Sequence, residues 1–271
     1  MTIQSKYDSL KQTLHELGRV AIAFSSGVDS TFLLKVAHDT LGNRAVALTA
    51  RSSLFPSREL DDAERFVHNE GIEHIVIEFD PFSVAGLSQN PTNRCYLCKK
   101  ELFTRFKHIA EEYGIPHIAE GSNADDVHDY RPGMQAIAEL GMLSPLRDSG
   151  LTKGEIRQLS RELNLPTWNQ PSFACLATRI PYGVEITAER LAMIEAAEQF
   201  LFELDFNQVR VRYHPNFNDG NLARIETDEE GLQRLLDKNL REKIHRRFRE
   251  LGFIHTAADL LGYRTGSMDE R

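Results

Sequence analysis

Cysteine is scarce in this chain. Three among 271 residues make an odd, sparse set that argues against a disulfide framework and for chemistry or metal binding. Long hydrophobic runs are missing too: no stretch approaches the roughly 18 apolar residues of a membrane span. The opening MTIQSKYDSLKQTL is polar and amphipathic, unlike a secretory leader. The expectation is a soluble, cytoplasmic protein with no membrane partner. Positive charge is in deficit, 32 Lys and Arg against 40 Asp and Glu, a formal net charge of −8. That speaks against a general nucleic-acid surface, because neutralising a phosphate backbone takes Lys and Arg. Also lacking is the Gly-Lys-Ser/Thr ending of a Walker loop, so transfer of a γ-phosphate is not the expected chemistry.

What is present centres on AIAFSSGVDS, residues 21–30. A short apolar strand runs there into a Ser/Gly turn and then into a helix pattern. Backbone N–H groups and hydroxyls at such a junction converge on one spot, and the helix dipole favours an anion there. Ala23, Ser25, Gly27, Asp29 and Ser30 are therefore candidate nucleotide-binding positions, and Asp29 is a catalytic candidate as well. Onward to residue 120, strands (20–24, 45–50, 74–78, 117–120) alternate with helices (31–41, 57–70, about 99–113). This predicts an α/β fold, a parallel sheet with helices on both faces and ligands beyond the carboxyl ends of its strands. Gly121 opens GSNADDVHDYRPG at such an end. Asp126 or Asp129 could hold Mg²⁺, a hard cation that accompanies phosphates, and Arg131 could neutralise a phosphate. The same residues also suit a solvated turn.

A loop at 168–183, with two prolines and no period, suggests a first domain of residues 1–183 and a second, smaller α+β domain of 184–271. The second reads as a helix at 187–204, a strand pair QVRVRYH and NLARIE, a charged helix at about 229–251 and a strand near 253–261, ferredoxin-like in element order. Arg210 and Arg212, two apart on a strand, face one side and form a candidate phosphate or carboxylate site that Arg264 could complete. On an exposed face they would simply meet water. The run LREKIHRRFREL reads as a solvated helix face. Cys95 and Cys98 form a CxxC just before a helix, and Cys175 follows in the proline-flanked loop. Zinc would need a His such as His128 to complete four ligands; three cysteines on a [4Fe–4S] cluster would leave one iron open; a redox dithiol is the third option. Cys175 alone could simply be buried.

The 25–30 loop resembles the SGGxDS loop of the PP-loop ATP pyrophosphatases, with Ser26 where that superfamily usually has its middle Gly. Together with GSNADDVHDYRPG, SPL, LTKGEIRQLSRELNLP, PSFACLATRIPYG, VRVRYH and LLGYRTG, it resembles the LarE sulfur transferases over nearly the whole chain. The resemblance implies ATP-dependent adenylation of pyridinium-3,5-biscarboxylic acid mononucleotide and sulfur insertion to form the thiocarboxylates of a nickel-pincer cofactor. It implies ATP and Mg²⁺ as cofactors, a sulfur donor system as partner, and a homo-oligomer. Relatives with one Cys matching Cys175 sacrifice its sulfur; those that also carry the CxxC are thought to hold a [4Fe–4S] cluster, so Cys95, Cys98 and Cys175 imply the cluster type. By the same resemblance Arg210, Arg212 and Arg264 grip the substrate phosphate, and Glu198 and Glu226 match acidic positions near it. Arg234 stands where some relatives have an acid, which puts a metal site in that module in doubt. The alternatives are a PP-loop tRNA thiolase and a non-enzymatic nucleotide-binding iron–sulfur protein.

Overall fold

An alternation of strands and helices builds crossover units, because a parallel neighbour can be reached only by a long connection. In the computed structural model, which describes residues 1–128, 132–171, 174–217, 220–264 and 266–268, the chain divides into two compact units. The first takes residues 1–52, 57–84 and 93–173; the second takes 53–56, 85–92 and 174–271.

The first unit opens with helix α1 (Ile3–Leu17), capped by the Thr2 side chain, which accepts from the Ser5 N–H. There follow β1 (Val20–Ala23), α2 (Val28–Leu41), β2 (Ala45–Arg51), α3 (Ser57–Glu70), β3 (Glu73–Glu78), α4 (Arg94–Glu112) and β4 (His117–Ala119). Three helices close the unit: α5 (Pro132–Glu139), α6 (Pro145–Asp148) and α7 (Lys153–Glu162). The strands form one parallel sheet in the order β3-β2-β1-β4. Leu143 adds one rung beyond β4: its N–H donates to Ile118 O and its carbonyl accepts from Glu120 N–H, each at 2.9 Å.

Central β1 is buried along Val20, Ala21 and Ile22, as expected of a parallel strand covered on both faces. Helix α2 is buried on most sides, through Phe32, Leu33, Leu34, Val36 and Ala37, and packs on β1, β2, α1 and α7. Fully burying a side chain such as Phe32 stabilises the fold by about 1.5–3 kcal/mol. The core thus fixes the helix whose N-terminus faces the candidate cradle. Helix α7 has a complete capping box: Thr152 Oγ1 accepts from the Glu155 N–H, and the Glu155 carboxylate accepts from the Thr152 N–H. Lys6 of α1 clamps the same carboxylate at 2.8 Å.

The second unit contains a 3-10 turn (Leu176–Arg179), then α8 (Ala188–Glu203), β5 (Val209–Phe217), β6 (Gly220–Thr227), α9 (Glu229–Arg234), α10 (Lys238–Glu250) and β7 (His255–Ala258). Its sheet has the order β5-β6-β7, with β5 and β6 antiparallel and β6 and β7 parallel. The elements follow the expected order, and the last strand lies parallel beside its predecessor, reached through the α9–α10 crossover. The single charged helix is two. Asp237 caps α10 by accepting from the Leu240 N–H at 2.7 Å, and a capping carboxylate there outcompetes helix continuation. Helix α4 starts earlier than the sequence pattern suggests, so Cys95 and Cys98 lie on its first turns and not ahead of them. Tyr96 anchors that turn by donating to the Glu139 carboxylate of α5 at 2.8 Å.

Candidate active site

The 25–30 loop is held by its own hydrogen bonds. The Ser25 N–H donates to Ser30 Oγ at 3.3 Å, the two hydroxyl oxygens are 3.1 Å apart, and Gly27 caps α2. Ser26 has φ 52°, the left-handed region that glycine enters freely and other residues at a cost of roughly 1–2 kcal/mol. The replacement of the usual glycine therefore matters. Ser26 Oγ lies 2.8 Å from both Ser25 O and Glu59 O, tying the loop to α3 and offsetting part of that cost. Gly121 permits a close approach: a Cβ there would come within 3.1 Å of the Ser30 nitrogen and 3.3 Å of Asp29 Cβ. The loop after β4 thus lies directly against the first turn of α2, and Ala23 ends the strand that delivers it.

Asp29 sits in that first turn. Its Oδ2 accepts from Lys153 Nζ at 2.5 Å, whereas its Oδ1 is buried with no hydrogen-bond partner. Burial raises the Asp29 carboxyl above its ordinary range, against the pull of the Lys153 charge and hydrogen bond; the charge of Asp126 adds to the rise. Asp126 Oδ2 accepts from the Asn123 N–H at 2.9 Å, and Asp125 Oδ2 accepts from the Lys153 N–H at 2.8 Å. The loop after β4 and the start of α7 are thereby fastened together. A buried, orphaned carboxylate oxygen with a second carboxylate nearby suits a hard divalent cation. Asp129 and Arg131 lie outside the described residues. Lys153 is absent from the candidates the sequence offers, although a cation at the first position of a capped helix opposes the helix dipole and is a usable signal.

No disulfide joins Cys95, Cys98 and Cys175, and all three are partly exposed. Two thiols at i and i+3 on α4 share a helix face. Cys175 belongs to the second unit, where it precedes the 3-10 turn. Among the described residues, no three or more His, Cys, Asp and Glu are gathered closely enough to hold a metal ion.

In the second unit Arg179 is wholly buried. Its Nε and Nη2 donate to the Glu198 carboxylate at 2.9 and 3.0 Å, while Nη1 donates to Ala174 O and to Cys175 O, the latter at 3.0 Å. Burial alone would raise Glu198, but the Arg179 charge and hydrogen bonds outweigh it and hold the carboxyl below its usual range. Glu198 also accepts from the Val211 N–H at 2.9 Å, joining this anchor to β5. Arg210, opposite Glu226 in the sheet register, is buried; its guanidinium lies 5.1 Å from the Tyr263 ring, and burial lowers its pKa to about 10. Arg212 donates to Glu226 at 2.9 and 2.7 Å and to Ser267 at 3.0 Å. Arg224 bridges Glu226 and Asp259, and Arg264 donates to Asp259 at 3.1 Å. Glu198 and Glu226 are thus engaged by arginines. Among the described residues, Arg179, Arg210, Arg212, Arg224 and Arg264 gather with Glu198, Glu226 and Asp259. Arg179, Arg224 and Asp259 do not stand out in the sequence, though Arg224 and Glu226 share one face of β6 by simple alternation.

The chain is 35% identical, over 99% of its length and 95% of the relative's, to pyridinium-3,5-bisthiocarboxylic acid mononucleotide synthase of Lactiplantibacillus plantarum. The chain belongs to the LarE family. It is accordingly an enzyme, an ATP-dependent sulfurtransferase, and its α/β fold is that of the PP-loop superfamily to which LarE belongs. An uncharacterised protein of Synechocystis sp. is 41% identical over 98% of both chains. One of the subunits of the glutamine-hydrolyzing GMP synthase of Thermoplasma acidophilum is 27% identical over 74% of this chain and 69% of its own. No family model matches the chain. Among the described residues, no helix is long and apolar enough to cross a membrane.

Proposed function

We propose that this LarE member joins AMP to a carboxylate of pyridinium-3,5-biscarboxylic acid mononucleotide and then exchanges the adenylate for sulfur, yielding a thiocarboxylate. The observation that carries this reading is the end-to-end match to a synthase of the bisthiocarboxylate. A carboxylate is a poor electrophile. Its oxygen attacks the α-phosphorus of ATP, pyrophosphate leaves, and AMP becomes the good leaving group that sulfur displaces from the acyl carbon. The Ser25 and Ser30 hydroxyls and the N–H groups opening α2 receive the pyrophosphate, where donors aimed at developing charge lower the barrier. Asp29 and Asp126 would hold the divalent cation. The gathered guanidiniums of the second unit suit the substrate's own phosphate, with Arg210, Arg212 and Arg264 as its ligands.

Cys95, Cys98 and Cys175 offer three thiolates, the donor set of a [4Fe–4S] cluster with one iron left open; when bound, the cluster would supply a sulfide sulfur that can be replaced. In this reading Cys175 is a ligand and is not consumed. Arg179, which holds the Ala174 and Cys175 carbonyls, keeps that thiol in place. The reaction class is tested with substrate labelled with ¹⁸O in its carboxylates. One label is expected in each AMP formed, together with unlabelled pyrophosphate. Formation of ADP and phosphate, unlabelled AMP, or AMP release that depends on tRNA would contradict the proposal.

A further inference from the structure

We infer that Lys153 is a placeholder for the divalent cation: its ammonium neutralises Asp29 in the protein without nucleotide and passes to the polyphosphate when nucleotide and cation arrive together. The inference rests on the ATP-binding reading of the 25–30 loop. Lys153 is the first residue of α7, a place where positive charge opposes the helix dipole. Helix formation therefore does not account for it. Its backbone is nevertheless firmly placed. The Lys153 N–H donates to Asp125 Oδ2, the Thr152–Glu155 box fixes the turn, and Lys6 anchors Glu155.

From this position the side chain, 28% exposed, spans to Asp29 and occupies one carboxylate oxygen, Oδ2, while Oδ1 stays buried without a partner. A divalent cation entering alone would gain Oδ1 but meet the ammonium on the other oxygen of the same carboxylate. A cation entering with a polyphosphate brings the negative charge onto which the ammonium can transfer. The arrangement favours loading of the metal–nucleotide complex over loading of metal alone. It makes Lys153 a positioning residue whose removal moves two affinities in opposite directions.

The test compares the full-length parent protein with Lys153→Met, with Lys153→Gln as a second neutral variant and Lys153→Arg as the charge-conserving one. Binding of Mn²⁺ alone is followed by paramagnetic resonance of the free ion, and binding of sodium pyrophosphate with Mn²⁺ by calorimetry. Both neutral variants are expected to bind Mn²⁺ alone about tenfold more tightly, since a unit repulsion a few ångströms away is lifted. They are expected to bind pyrophosphate about tenfold more weakly, and Lys153→Arg should stay near the parent in both. Unchanged or weaker Mn²⁺ binding by both neutral variants, at parental melting temperature, would reduce Lys153 to a structural tie and overturn the proposal. Failure of the parent itself to bind pyrophosphate with Mn²⁺ would instead overturn the ATP-binding reading and the placeholder with it.

Discussion

Asp29→Asn is expected to lower substrate-dependent AMP formation by about 10²–10³-fold, the loss typical when a group stabilising transition-state charge is removed. The substitution keeps the side chain's shape and its place in the first turn of α2, removes the charge and turns one acceptor oxygen into an amide donor. Two functions depend on that charge. Oδ2 holds Lys153, and Oδ1, buried and without a protein partner, is the oxygen left for the cation. Stability should change little, because burial, which raises the Asp29 carboxyl, offsets what its ion pair with Lys153 contributes. Steady-state rates and thermal melting of the same preparation check the prediction. A melting temperature well below the parent's would mean that Asp29 is structural.

Arg179→Ala should have the opposite profile, a loss of about 3–5 kcal/mol in stability, because it leaves the Glu198 carboxylate buried without its principal counter-charge. Glu198→Ala should cost a comparable amount. The double variant Arg179→Met with Glu198→Leu should recover much of the loss, since an apolar pair of similar volume needs no desolvated charge. Denaturant unfolding of all three measures the coupling. Sulfur transfer should remain impaired in the double variant, because Arg179 also holds the Ala174 and Cys175 carbonyls and Glu198 holds the Val211 N–H. Full activity with restored stability would show that the pair serves folding only.

The first unit is largely legible in the sequence, and for local reasons. Apolar runs bounded by turn residues mark β1, β2 and β3, and the period alone places α3 at Ser57–Glu70. The 25–30 loop stands out through its SxGxDS pattern, since a Ser/Gly turn between strand and helix by itself occurs in many α/β proteins. What the sequence hides depends on distance along the chain. Lys153 meets Asp29 across 124 residues, and Arg224 meets Asp259 across 35; no period or spacing announces such pairs. The importance of Ser26 is hidden as well, since only the backbone shows that the position is left-handed. In the second unit the strand pair is visible, but the place of β7 is not. Parallel pairing with β6 follows from the path of the α9–α10 connection, and the break at Asp237 turns on a single capping carboxylate. The same limit applies to Glu198 and Glu226. Their pairing with Arg179 and Arg212 is visible only in the fold.

The proposed ATP-dependent sulfur insertion spares the protein's own thiols. Its most direct test is an anaerobic turnover of cluster-reconstituted protein with ATP, Mg²⁺, a sulfide source and the biscarboxylate mononucleotide, scored by mass spectrometry of products and of the intact chain. Several thiocarboxylates per chain, one AMP for each, and an unchanged protein mass are predicted. A single thiocarboxylate per chain, with Cys175 converted to dehydroalanine, would contradict the account and make Cys175 itself the sulfur source.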